Sequence, residues 1–580
     1  MAKWLSRYRA SMIVLLVLTC FYGINITNIY GFSIFPDEFT YWSYAAKMAG
    51  YDWSGLVSLG SYYSYGYGLF LLPVFILCRD PVIAYRIAVG VNFLFLFLAF
   101  IFLVKVMRRL FPEKDIPVEM FSAAAILFPG NLFYAQMAMT EVLLLLLYIL
   151  AGWLLLDYIS RDRKLTLCVL ITLLMYSYAV HMRTIGILLS AVGILFFHIL
   201  SKRGRRYHIF IMAGLFLLFF LIGHVLKSWA FSSVYGNIGQ ELIRGNDYGG
   251  QIDKIKYIFT DTGIYDAAVS ILGKVLYLGL ATYGLFYWGV MAGIREIKKG
   301  AAVTVRRKFF AFVILSVLTQ ILIATVYLLT LGEASDYTYG RYTELIIPFV
   351  MVSGAIALWN QKKKSILVFT GGMAAVQAVC ALLVVKQIAD TGAETFHGFF
   401  MVGISYLYNE SGFNSCGFYR NAYLFCEALT GFVVITFLYC HSHKKRHYFL
   451  TGIVVLELAL AMRAATLFLN PLQKAAFRDK RIAEKIEALG DEGRQAVYVY
   501  DTFPVYAGIL QFLERDMEIQ VAGEDGLGAV LKRDMDTRDV MIFAFDSGNV
   551  QKWKEFFSDS YTYGHFTLLY NEEKCHDDGL

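Results

Sequence analysis

Charge is scarce in this chain: Asp, Glu, Lys and Arg make up 17% of its 580 residues, too few to solvate the surface of a soluble protein this long. Proline is rarer still, nine in all, so long helices run uninterrupted. No CxxC and no Cys/His spacing occurs, which excludes a zinc module or a dithiol centre. Six of the eight cysteines (Cys20, Cys78, Cys168, Cys380, Cys426, Cys440) lie in or beside apolar runs and are expected to be inert buried thiols. Internal repeats and low-complexity tracts are absent. The glycines of AGEDGLGAVL (522–531) do not match a dinucleotide fingerprint, so no phosphate cradle for a nucleotide is evident.

What remains is apolar. Hydrophobic residues make up 58%, aromatics 16%, and the mean hydropathy is +0.56, the composition of a polytopic α-helical membrane protein. Runs of about 20 apolar residues are needed to cross the hydrocarbon. They occur near 11–30, 82–104, 118–134, 141–158, 165–181, 184–200, 209–230, 267–293, 309–331, 344–359, 365–386, 419–440 and 449–469, about thirteen transmembrane helices. The start, MAKWLSRYRA before SMIVLLVLTCFYGI, lacks a small-x-small cleavage site and reads as an uncleaved first span.

The net charge of +7 does not mark a nucleic-acid binder, because the cations cluster between spans, where lipid headgroups are their partners. With the N-terminus inside, the inner connections carry KVMRRLFPEK, SRDRK, SKRGRRYH, REIKKG with VRRK, NQKKKS and HSHKKRH. The outer ones hold few cations, among them Lys47, Arg183, Arg341 and Lys386. The longest outer loops are 31–66, 231–266 and 387–418.

After residue 470 charges become dense and apolar runs shorten. AVYVY (496–500), MEIQVA (517–522), DVMIFAF (539–545) and HFTLLY (565–570) read as strands, with helices at RIAEKIEAL and VYAGILQFLE between them. Residues 1–470 are thus expected to form the membrane domain, and 471–580 a small C-terminal extracytoplasmic α/β domain.

The polar exceptions gather on the outer side. Pro36-Asp37-Glu38, with Gly50 behind, opens an interfacial helix in the first outer loop. The two carboxylates either complement the helix dipole or carry chemistry; pointing about 100° apart, they can serve different partners. Thr140-Glu141 opens the fourth span, as a simple N-cap or as a substrate contact. Arg183, in His181-Met182-Arg183-Thr184, and Arg341, in Tyr337-Thr338-Tyr339-Gly340-Arg341-Tyr342, either snorkel or bind an anion. Their tyrosine neighbours suit a sugar-stacking surface or an aromatic belt. Glu427, Glu457 and Arg463 lie within spans and are read as packing groups.

The pattern P-D-E-x-x-Y-x-x-x-A-x-x-M-x-G-x-D-W, from Pro36 through Tyr41 to Trp53, resembles the first outer loop of the GT-C superfamily of glycosyltransferases. It is nearest the branch of aminoarabinose transferases and protein O-mannosyltransferases, although the loop then departs into SYYSYGYGLFLLP. The resemblance implies transfer of a sugar from a polyprenyl-phosphate donor to an acceptor that is a glycan, a polymer, a lipid or a protein. It implies Asp37 as general base with Glu38 beside it. Arg183, Arg341 and His181 are then expected at the donor phosphate, and Glu141, Tyr41, Tyr339 and Tyr342 at the substrate. Some members of the superfamily use a divalent metal, for which Asp37, Glu38 and Glu141 are the candidates; no other cofactor is implied. The expected location is the bacterial plasma membrane. A lipid-linked sugar flippase and a catalytically silent assembly protein of the same fold are the competing readings.

Overall fold

The computed structural model describes residues 2–571 except 34, 58–61, 202–205, 237–247, 300–303, 330–331, 410–412, 472, 474–477, 490–494, 501–503, 524–539, 545–546 and 549. The glycines of AGEDGLGAVL lie mostly outside them.

Among the described residues eleven helices are long and apolar enough to cross a membrane, twelve if Val118–Ile126 and Pro129–Ala135, bent by 53° at their junction, form one span. Lys164–Val180, 17 residues, is a shorter apolar helix. Local chemistry starts many of these elements. Asp80 accepts from the Ile83 amide at 2.8 Å, Thr304 from Arg307 and Asn414 from Gly417, while Pro36, Pro81 and Pro129 occupy first turns. The run expected to cross at 267–293 is two helices, Asp261–Ala281 and Leu285–Lys298. Tyr283 (φ 53°) and Gly284 (φ 78°) take left-handed conformations between them, which no helix interior accommodates.

Enclosure is uneven. The helices Glu141–Arg161 and Ala334–Trp359 are enclosed over 83% and 89% of their apolar windows, and His208–Val234 over only 6%. The first two therefore form the bundle's centre, and the last faces lipid. All seven described cysteines are free. Cys380, Cys426 and Cys440 are buried as expected, but Cys78 and Cys168 are half-buried and Cys20 is exposed on a helix whose outward face meets hydrocarbon.

The first-loop helix, Pro36–Met48, ends before Gly50 (φ 99°) as its sequence suggests. Tyr41, Trp42 and Tyr44 are fully enclosed. Part of the cover is the helix Gly68–Leu77, which no expected span included. Another part is the C-terminal helix Pro504–Leu513, whose Phe512 ring meets Phe32 at 4.4 Å and Trp42 at 5.0 Å. So many aromatic rings on one short helix demand a cover on both sides.

Among the described residues the C-terminal sheet has five strands in the order β2-β1-β3-β5-β4: β1 Gln495–Tyr500, β2 Glu518–Gly523, β3 Val540–Ala544, β4 Asp559–Tyr563 and β5 Phe566–Tyr570. β1 pairs in parallel with β2 and β3, while β5 is antiparallel to β3 and β4. The helix Pro504–Leu513 supplies the β1-to-β2 crossover. This unit is fastened to the first loop. The Trp53 indole donates to the Arg515 carbonyl, Arg515 Nη1 donates to the carbonyls of Phe75 and Cys78, and Gln473 bonds Tyr30 and Gly31. Four of its strands were expected; β4, polar and alternating, was not.

Candidate active site

Four charged groups from four distant segments converge at the centre of the bundle. Arg341 Nη2 donates to Asp37 Oδ2 at 2.5 Å, and its Nε donates to Glu141 Oε1 at 2.7 Å. Arg183 Nη2 donates to the same Glu141 oxygen at 3.1 Å. The result is a row Asp37–Arg341–Glu141–Arg183 of alternating sign, with exposures of 5, 4, 8 and 1%. Two positive and two negative charges sum to zero, which is how a low-dielectric interior tolerates them.

Local structure aims each group. Proline in the first turn sets the entry of the Asp37 helix, and Glu141 opens its own helix. Thr140 does not cap that helix: its backbone is already helical and its side chain makes no capping bond. Arg183 sits in a single 3-10 turn, Met182–Thr184, between two apolar helices, with His181 Nδ1 accepting from its backbone N–H. Gly340–Tyr342 is a second short 3-10 turn and presents Arg341.

Asp37 and Glu38 serve different partners. Glu38 Oε2 accepts from the Ser33 amide and hydroxyl, and Oε1 accepts from the Ala138 amide at 3.0 Å and from the Tyr85 hydroxyl. Both of its oxygens are committed to protein donors, tying the first loop to the stretch before Glu141. Burial pushes the Glu38 carboxyl up to about 7, and the four donors limit the rise.

Aromatic rings enclose the row. The Arg183 guanidinium lies 4.9 Å from the Tyr342 ring centre, and that of Arg341 lies 4.7 Å from Phe35. Tyr339 packs on Tyr342 and stacks on Phe400 at 4.3 Å, so the third long outer loop closes one side of the site. Tyr41, fully buried, has its phenol pKa raised by burial and then by the charges of Asp37 and Glu141. Tyr63 behaves likewise beside Asp37. His181 is pushed well below its usual value by burial and by Arg183 and Arg341, which leaves a neutral ring 6.1 Å from Tyr342.

Sequence reasoning therefore assembled Asp37, Glu141, Arg183, Arg341, His181, Tyr41, Tyr339 and Tyr342 around one centre. It missed Tyr63 and the fully buried Glu344, to which the Tyr277 hydroxyl donates. The carboxylate in R-Y-T-E, three residues after Arg341, was the available signal for Glu344.

The three carboxylates considered for a metal do not converge. Glu38 is spent on protein donors, and Arg341 stands between Asp37 and Glu141. Among the described residues no three His, Cys, Asp or Glu groups come together to hold a metal ion.

Not every polar atom here is satisfied. Arg183 Nε and Nη1 and Glu141 Oε2 are buried without a hydrogen-bond partner among the described residues. Leaving such groups unpaired costs about 1–3 kcal/mol each, more for charged ones. Arg183 thus keeps donors, and Glu141 an acceptor, that no described group fills.

No family model and no curated protein sequence matches the chain. Its fold does match solved structures. ArnT from Cupriavidus metallidurans bound to undecaprenyl phosphate superposes with a TM-score of 0.56 at 13% identity, over 96% of this chain and 97% of that one. The apo state of the same protein gives the same TM-score and identity over 97% and 98%. The chain has the fold of ArnT, matched across membrane and C-terminal parts alike.

Proposed function

We propose that this multi-pass membrane protein is a glycosyltransferase that moves a sugar from a polyprenyl-phosphate carrier to an acceptor on the outer face of the membrane. The observation that carries the reading is Arg183, a buried guanidinium with two donors unfilled, one ion pair from the Asp37–Arg341–Glu141 row. A leaving lipid phosphate supplies the acceptor oxygens that those donors lack. The ArnT-like fold, with one of its solved forms bound to undecaprenyl phosphate, supports a carrier of that class.

The chemistry follows from the charges. The acceptor's oxygen attacks the anomeric carbon as the bond from that carbon to the phosphate oxygen breaks. Asp37 takes the acceptor's proton, and Arg183 with Arg341 balances the charge gathering on the departing phosphate. A single displacement with one base inverts the anomeric centre. Glu141 holds both guanidiniums at a fixed spacing, and Glu38 positions Asp37 by pinning the first turn of its helix. Tyr41, Tyr339 and Tyr342 supply hydroxyls and ring faces for the sugar; neutral His181 acts through its fold at Arg183. The basic connections on the opposite side favour this site facing outward, and the likeness to ArnT from Cupriavidus metallidurans favours a bacterial plasma membrane.

The test is sugar release. Purified full-length protein is offered a panel of polyprenyl-phosphate sugars, and Asp37→Asn is run beside it. The expected result is turnover by the wild type, a loss of at least about 100-fold in the variant, unchanged melting, and product of inverted anomeric configuration. Equal turnover by a well-folded Asp37→Asn protein removes the base, and no release from any donor returns the flippase reading.

A further inference from the structure

Away from the charged row, a groove of about 700 Å³ runs between the helices Leu285–Lys298 and Lys363–Thr391. Its walls are apolar: Trp288 and Phe369, with ring centres 4.1 Å apart, and the outward-facing Val368 and Val376. One end carries three exposed cations, Arg295, Lys362 and Lys364, with Gln361 and Ser365 beside them. None of the three cations makes an ion pair or side-chain hydrogen bond among the described residues. An unpaired basic end on an apolar trough is what an anionic amphiphile complements: phosphate at the cations, acyl chain along the apolar wall.

One further residue argues that the trough is meant to stay open. Gly372 lines it, and a Cβ built there meets nothing within 4 Å. Glycine in a helix interior costs about 1 kcal/mol relative to alanine, and here no neighbouring backbone needs the space.

We infer that this groove binds an anionic diacyl phospholipid, its phosphate held by Arg295, Lys362 and Lys364 and an acyl chain resting on Phe369, Val368 and Val376, with Trp288 buried behind them. Phospholipid is the occupant argued for, rather than the polyprenyl carrier, because Val368 and Val376 on the trough's wall are exposed on a spanning helix, and in a membrane diacyl lipids far outnumber carriers. The inference does not depend on the proposed enzymatic activity.

Native mass spectrometry of the delipidated full-length protein tests it, with phosphatidylglycerol, phosphatidylcholine and undecaprenyl phosphate offered in equal amounts. The expected result is retention of phosphatidylglycerol over phosphatidylcholine by about tenfold, equivalent to about 1.4 kcal/mol. That preference disappears in the triple variant Arg295→Ala/Lys362→Ala/Lys364→Ala. Gly372→Leu, whose Cβ enters open space and whose side chain occupies part of the trough, lowers retention of both phospholipids while the protein melts as the wild type does. Equal retention of the two phospholipids by the wild type, an unchanged preference in the triple variant, unchanged retention in Gly372→Leu, or preferential retention of undecaprenyl phosphate each overturns the assignment.

Discussion

The row of alternating charges makes a quantitative prediction about Glu141 and Arg183. Glu141→Gln leaves the buried row with one net positive charge, and Arg183→Gln leaves it with one net negative charge. Removing one partner of a buried pair costs about 3–5 kcal/mol, because the survivor keeps its desolvation and loses its counter-charge. At the 3.1 Å separation of Arg183 Nη2 and Glu141 Oε1, the direct attraction is about 5 kcal/mol at an effective dielectric of about 20. The double variant Glu141→Gln/Arg183→Gln restores neutrality, with Asp37 and Arg341 still paired, and is expected to cost well under the sum of the two singles. The predicted coupling is at least about 2 kcal/mol, read from unfolding of all four proteins in one detergent. Additivity to within about 0.5 kcal/mol would refute the argument, since independent sites add to that precision.

Other perturbations separate positioning from chemistry. Arg183→Lys keeps the charge but loses the planar fork; it is expected to raise KM for the lipid donor by about tenfold or more in steady-state assays, with little change in melting. Because the folded Glu38 carboxyl is raised above its unfolded value, the folded state binds more protons between pH 4.5 and about 7. Stability therefore falls as pH rises through that window, by about 3 kcal/mol. In Glu38→Gln that slope should vanish in pH-dependent melting curves. Phe512→Ala removes a ring packed on Phe32 and Trp42 and is expected to cost about 3–5 kcal/mol. Limited proteolysis should then cut the C-terminal unit from the membrane part faster.

The residues that sequence alone could reach were those that break a rule of their surroundings. Asp37, Glu141, Arg183 and Arg341 are charges at the ends of apolar runs, where a membrane protein keeps a charge only for a reason. The site's aromatics could not be sorted the same way, because a chain with 40 tyrosines gives Tyr63 no distinction. Enclosure of the first-loop helix was equally hidden. Its rings fit a membrane interface or a protein cover, and the cover, Phe512, lies far away in sequence. The break at Tyr283-Gly284 was missed because Thr-Tyr-Gly inside an apolar run does not lower hydropathy enough to show. Strand β4 was missed because Asp559–Tyr563 owes its extended form to its partner β5, not to apolar alternation.

The cover over the first loop also sets an order of assembly. Asp37 is made early and Phe512 late, and at 5–20 residues per second the ribosome takes roughly half a minute to a minute and a half to bridge them. During that interval the helix Pro36–Met48 holds its tryptophan and tyrosines without their lid. A chain stopped at residue 470 would carry every charge of the row and still lack the roof above it. Enclosure of the first-loop helix thus arrives only with the final domain, and fragments of the membrane part alone should aggregate in proportion to the surface they leave bare.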